Sequence, residues 1–115
     1  STADAHIHTV LRYIHQNLSN DITVSDIVKQ VPLSRRLLEI RFKEVTQQSI
    51  HKYIFNLRME RFAQLLLASD EPIADVAEQA GISSLKNLSR QFKALKQVSP
   101  NEYRKQYKRR TSCNY

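Results

Sequence analysis

Asp26-Ile27-Val28-Lys29-Gln30-Val31-Pro32-Leu33-Ser34 and Asp75-Val76-Ala77-Glu78-Gln79-Ala80-Gly81-Ile82-Ser83 are one pattern met twice, 49 residues apart. One inserted residue later the offset becomes 50, and it pairs Leu38 with Leu88, Phe42 with Phe92, Lys43 with Lys93, Gln47 with Gln97, Ser49 with Ser99 and Tyr53 with Tyr103. The matched positions include the apolar ones that two helices need for a shared core. The chain therefore carries one supersecondary unit twice.

Working outward from the repeat, the spacing predicts an all-α chain of seven helices. Ile7, Val10, Leu11, Ile14 and Leu18 recur at helical intervals and predict a first amphipathic helix over 6–18. Thr23 suits the cap of a short helix over 24–31, closed by Pro32, and Ser34 the cap of a third running to Val45. Ser49 opens a long helix through Ala68 with an apolar stripe of Ile50, Tyr53 or Ile54, Leu57, Leu65 and Leu66. Pro72 suits the first turn of a helix over 73–80 that stops at Gly81, a position calling for φ > 0. A helix over 84–96 follows, and Ser99-Pro100 starts the last one, through Tyr107. These segments divide the chain into a linker remnant (1–5), a first subdomain (6–48), a connecting helix (49–68), a second subdomain (69–107) and a basic tail (108–115).

Composition agrees with helices and narrows the partners. A single Gly and three Pro are poor material for a turn-rich β protein, while 41% hydrophobic residues suffice for a modest core. Eighteen Lys and Arg against eleven Asp and Glu leave a formal charge of +7, which suits a polyanion. The lone Cys113 excludes an intrachain disulfide and a Cys-based zinc site. No apolar run approaches the ~20 residues of a membrane span, and no signal-peptide pattern appears, so a reducing, cytoplasmic setting is expected.

Each copy of the repeat is a short helix, a tight turn and a longer helix, the outline of a helix-turn-helix. Charge placement strengthens that reading. The window 34–43 of the first copy holds Arg35, Arg36, Arg41 and Lys43 against Glu39 alone. The second helix of the second copy holds Lys86, Arg90, Lys93 and Lys96 with no acid, while Asp70, Glu71, Asp75 and Glu78 gather before and along its first helix. Arg104, Lys105, Lys108, Arg109 and Arg110 add phosphate-seeking charge. A connecting helix of about 20 residues spans ~30 Å at ~1.5 Å per residue, close to the ~34 Å between successive major-groove faces on one side of a duplex. One chain is thus suited to two neighbouring groove segments of double-stranded DNA, at an asymmetric site. An RNA- or generic polyanion-binding helical domain is the alternative, and a protein-interaction module using the acidic helix 72–80 the next.

Arg58-Met59-Glu60-Arg61 leading into Leu65-Leu66-Leu67, then Ile73 through Gly81, Leu88-Ser89-Arg90-Gln91-Phe92-Lys93 and Val98-Ser99-Pro100-Asn101-Glu102-Tyr103-Arg104 resemble, in combination, the AraC/XylS family of bacterial transcription regulators. Ser34 through Glu44, followed by Ile50-His51, looks most like its xylose-operon regulator branch. The resemblance implies sequence-specific DNA binding that regulates transcription. It also implies a fusion to a sensing domain absent from these residues, where an effector (a sugar, on the xylose analogy) would bind, and RNA polymerase as a further partner. Departures are Ile82 where the family usually has an aromatic residue, Asn87-Leu88 for its frequent Tyr-Phe, and Phe62 for its usual Ala, which predicts local repacking.

The family's base-reading positions map onto Arg36, Glu39 and Ile40 in the first unit and Lys86, Ser89 and Arg90 in the second, with Leu85 beside them. Arg suits guanine O6/N7, Glu accepts from cytosine N4, and Ile meets a thymine methyl. Glu39 is equally suited to a surface ion pair with Arg35, Arg36 or Lys43. Arg35, Arg41, Lys43 and Lys93 are candidate phosphate contacts, although Arg41 would also serve a buried acid. Leu38, Phe42, Leu88 and Phe92 read as core. His6 and His8 lack a partner cluster for a metal, and His15 and His51 read as structural. No nucleophile–base pairing or phosphate-cradling Gly loop argues for an enzyme, and no cofactor is implied.

Overall fold

The computed structural model describes residues 2–112, with side chains over 4–108. Its helices are α1 (Thr2–Gln16), α2 (Val24–Val28), α3 (Arg35–Thr46), α4 (Ile50–Ala68), α5 (Ile73–Gln79), α6 (Leu88–Lys96) and α7 (Pro100–Ser112), with no strand among the described residues. The side chains of Arg109 and Arg110, and Cys113, lie outside what is described.

Local chemistry sets these limits. Thr23 and Asp26 form a reciprocal capping box: the Asp26 N–H donates to Thr23 Oγ1 at 3.1 Å and the Thr23 N–H to Asp26 Oδ2 at 3.0 Å. The Thr23 backbone bond, then its hydroxyl, holds the Asp26 carboxyl below the usual carboxylate range. Ser34 Oγ accepts from the Leu37 N–H at 3.2 Å. Ser49 and Ser99 repeat the device, accepting from Lys52 at 3.1 Å and Glu102 at 3.2 Å. At the far ends, Gln47 (φ 66°) and Gln97 (φ 73°) each turn left-handed and donate to the carbonyl of Lys43 or Lys93 at 2.8 Å. Gly81 (φ 85°) does have the positive φ expected of it, letting the Ile82 N–H reach the Ala77 carbonyl at 3.0 Å.

Several boundaries differ from expectation. α1 begins at Thr2, so residues 2–5 are helix rather than linker. Ala3 and Ala5 are strong helix formers, and Asp4 lies in the first turn where the macrodipole favours an acid. α2 stops at Val28 instead of Val31. Pro32 disfavours the α region for Val31, and the chain tightens through Gln30 N–H to Ile27 and Val31 N–H to Val28. α7 passes Tyr107 into the stretch read as a tail.

The chain divides into two compact units, the first ending at Leu57 and the second starting at Arg58. The boundary falls inside α4, so this helix is shared between two cores rather than standing between subdomains as a spacer. In unit 1, Ile7, Val10 and Ile14 of α1, Val24 and Ile27 of α2, Leu38 and Phe42 of α3, and Ile50 and Ile54 of α4 form one buried cluster. Phe42 meets Tyr53 edge-on at 5.4 Å, and His15 Nε2 lies 3.0 Å from the Tyr53 hydroxyl. In unit 2, Met59, Phe62, Ala63 and Leu66 of α4 are buried, as are Val76, Ala77, Ala80, Leu88 and Phe92. Phe62 is fully buried and meets Phe92 edge-on at 5.4 Å, and Phe92 meets Tyr103 at 5.3 Å. The large residue at position 62 is therefore accommodated as an aromatic contact. Full burial of each such side chain contributes about 1.5–3 kcal/mol.

Candidate nucleic-acid interface

α3 buries Leu38 and Phe42 and leaves its other positions from Arg35 to Val45 exposed. Arg36, Glu39, Ile40 and Lys43, at i, i+3, i+4 and i+7, share one outer face. All four are exposed, Ile40 by 46%. They line a depression of about 490 Å³ together with Ser49, Ile50 and His51 at the start of α4. His51, which reads as structural in the sequence, is exposed and lines the depression. The available signal was its place two residues after the Ser49 cap, where α4 begins close to the outer face of α3.

The other bases of α3 are engaged. Arg35 Nε lies 3.2 Å from Glu39 Oε1, and Arg41 Nη1 lies 3.4 Å from Glu44 Oε1. Glu39 thus has the surface ion pair that was one of its two readings, and Arg41 has an exposed rather than a buried acid. Exposed pairs of this kind contribute about 0–1 kcal/mol, so a phosphate can displace either acid at small cost.

α6 buries Leu88 and Phe92 at the same phase and exposes Ser89, Arg90 and Lys93. None of Lys86, Arg90 and Lys93 has an acidic partner among the described residues. Lys96 differs: it is partly buried and held by Glu60 Oε1 at 2.7 Å, which removes it from the free charge of this helix.

Two expectations are corrected here. The second helix of the second unit starts at Leu88, not residue 84, so Leu85 and Lys86 precede it, Lys86 in a turn closed by the Leu88 N–H on the Leu85 carbonyl at 3.2 Å. Asn87, where unit 1 has Leu37, takes φ 67° and ψ 5°. Asn enters this region more readily than other non-Gly residues and is a weaker helix former than Leu. Secondly, the charge on α7 is not all directed at a polyanion. Arg104 is half-buried and its Nε donates to the Leu66 carbonyl in the last turn of α4 at 2.9 Å. Lys108 donates to Asp70 Oδ1, and that bond holds the Asp70 carboxyl below its ordinary range. Lys105 remains exposed.

Among the described residues no three His, Cys, Asp or Glu come together as a metal site, and no helix is long and apolar enough to cross a membrane.

The comparisons agree with this geometry. The family described as a helix-turn-helix domain matches residues 27–106. The multiple antibiotic resistance protein MarA of Escherichia coli is 35% identical over 98 residues, covering 85% of this chain and 77% of that protein. The xylose operon regulatory protein of Escherichia coli is 30% identical over 104 residues, covering 90% of this chain and 26% of that protein. Among solved structures, the DNA-binding domain of the global transcriptional factor AdpA, crystallised with a target DNA, superposes with a TM-score of 0.82 at 25% identity over 90% of this chain and 94% of that one. An AraC-type regulator from Chromobacterium violaceum gives 0.80 at 27% identity over 91% and 94%. With two helix-turn-helix units built on one repeat, each turning a basic second helix outward, this chain belongs to the AraC/XylS family of transcription regulators as one of its DNA-binding domains.

Proposed function

We propose that α3 and α6 each enter a major-groove segment of one DNA duplex and that the two read different base sequences. The observation that carries this is the shared phase of the two helices. Leu38 and Phe42, like Leu88 and Phe92, face inward, which leaves Arg36, Glu39 and Ile40 on one outer face and Ser89 and Arg90 on the other. Arg36 and Arg90 are assigned to guanine, Ile40 to a thymine methyl and Glu39 to cytosine N4, a role that requires Glu39 to leave Arg35. Lys86 joins Ser89 and Arg90 as a reader of the second segment. Arg35, Arg41, Lys43 and Lys93 are assigned to phosphates, with His51 added at the edge of the first segment. We further propose that the regulator acts in the bacterial cytoplasm through contact with RNA polymerase. An effector such as a sugar would bind outside residues 2–112.

Titrating binding against salt tests the assignment. Affinity for a selected duplex should fall steeply with salt, and Lys93→Ala should reduce the slope by about one while weakening all sequences alike. Equal affinity for random duplexes, or tighter binding to single strands or RNA, would overturn it.

A further inference from the structure

At the offset of 50 that pairs Leu38 with Leu88, Ser34 pairs with Ser84 and Arg35-Arg36-Leu37 with Leu85-Lys86-Asn87. The first three residues are the opening turn of α3, capped by Ser34. Their counterparts are not helical. α6 starts three residues later, after a left-handed Asn87 that makes no side-chain cap bond, and Leu85 is left 51% exposed.

Electrostatics offers a reason for the difference. A cation in the first turn of a helix opposes the macrodipole. In α3 the opening Arg35 is offset by Glu39, 3.2 Å away. Arg36, which Lys86 matches, also has no acidic partner among the described residues, but the residue matching Glu39 is Ser89 and that matching Ile40 is Arg90, so an opening turn over 85–87 would bring Lys86 and Arg90 together on a helix that contains no acid. Ser84 nevertheless stands at the same distance in sequence from Leu88 as Ser34 from Leu38, so the cap for a longer helix is in place.

We propose that residues 85–87 wind onto α6 only against duplex DNA, whose phosphates supply the negative charge that Glu39 supplies within α3. Asn87 is the positioning residue that keeps the turn open until then. The ordered turn puts Lys86 and Arg90 four residues apart on one helical face, which the left-handed Asn87 prevents in the free protein. This rests on α6 being a reading helix.

Backbone chemical shifts of the full chain, free and saturated with a duplex taken from selection, test the proposal. Residues 85–87 should move from non-helical to helical values on binding, while 35–37 are helical in both states. Helical values already present in the free protein, or non-helical values in a complex where Ser89–Lys93 respond to DNA, would overturn it. A complex in which Ser89–Lys93 do not respond would overturn the placement of α6 as well. Asn87→Leu, which copies unit 1, should pre-form the turn and tighten binding ~3–10-fold by raising the competent fraction. Asn87→Gly, unstrained at positive φ, should weaken it ~3-fold. The reverse order of the two variants would contradict the proposal, and the wild-type shifts decide it even if one variant fails to fold.

Discussion

The two second helices, α3 and α6, are copies of one design that manage their charge differently. α3 keeps acids among its bases, and Arg35 and Arg41 are occupied by Glu39 and Glu44. α6 has no acid, and its exposed Arg90 and Lys93 have no acidic partner among the described residues. The internal pairs of α3 offset part of its positive charge beside a full, capped opening turn. The bare charge of α6 favours any polyanion but leaves its start unwound. On the proposed assignment, the first helix would contribute more to sequence choice and the second more to grip.

The comparison is broken most severely from the core. Phe42→Ala and Phe92→Ala each remove a fully buried ring with edge-on aromatic contacts and should cost about 3–5 kcal/mol. That is a large share of the ~5–15 kcal/mol by which a domain is held folded. Amide exchange should show Phe92→Ala loosening residues from Arg58 onward while protection before Leu57 persists, with Phe42→Ala doing the reverse. Equal loss throughout the chain in both variants would show a single cooperative unit.

A smaller effect sharpens the difference at the helix starts. Ser34→Ala removes the bond from the Leu37 N–H and should cost about 1 kcal/mol in chemical denaturation. Ser84→Ala should leave the stability of the free protein unchanged, because α6 starts after Asn87 without a side-chain cap. Comparable losses would mean that the two starts are equivalent after all.

Most of the fold was legible in the sequence because the repeat fixes the phase of every buried position. Leu38, Phe42, Leu88 and Phe92 lie where the pattern requires, and Ser34, Ser49 and Gly81 act at the helix ends as their chemistry suggests. The misplaced features depend on partners distant in sequence or on a single backbone conformation. Arg104 reads as phosphate-seeking until the Leu66 carbonyl is brought to it, and Lys96 until Glu60 is. The start of α6 turns on Asn87 adopting positive φ, which propensity permits but does not dictate.

The smallest expected effect concerns pH, at the start of unit 1. Asp26 has its carboxyl lowered by the Thr23 backbone and hydroxyl, so the capping box stabilises the folded chain when the carboxylate is ionised. That contribution is fully present above the ordinary Asp range and is lost as pH falls through the lowered folded value. Asp26→Asn should flatten this part of a stability-against-pH curve. An unchanged acid limb would remove the capping box from the account. Asp75, its counterpart in the repeat, makes no such capping bond among the described residues.

The central claim, two similar but unequal readers in one chain, is tested most directly by in-vitro selection from a random duplex library using the wild type, Arg36→Ala and Arg90→Ala. The wild type should select two separate blocks of preferred bases, the stronger preference belonging to α3. Arg36→Ala should relax about one base pair in one block, and Arg90→Ala about one in the other, each by ~1–3 kcal/mol at that position. A single block, or two variants that relax the same base pair or none, would contradict the account.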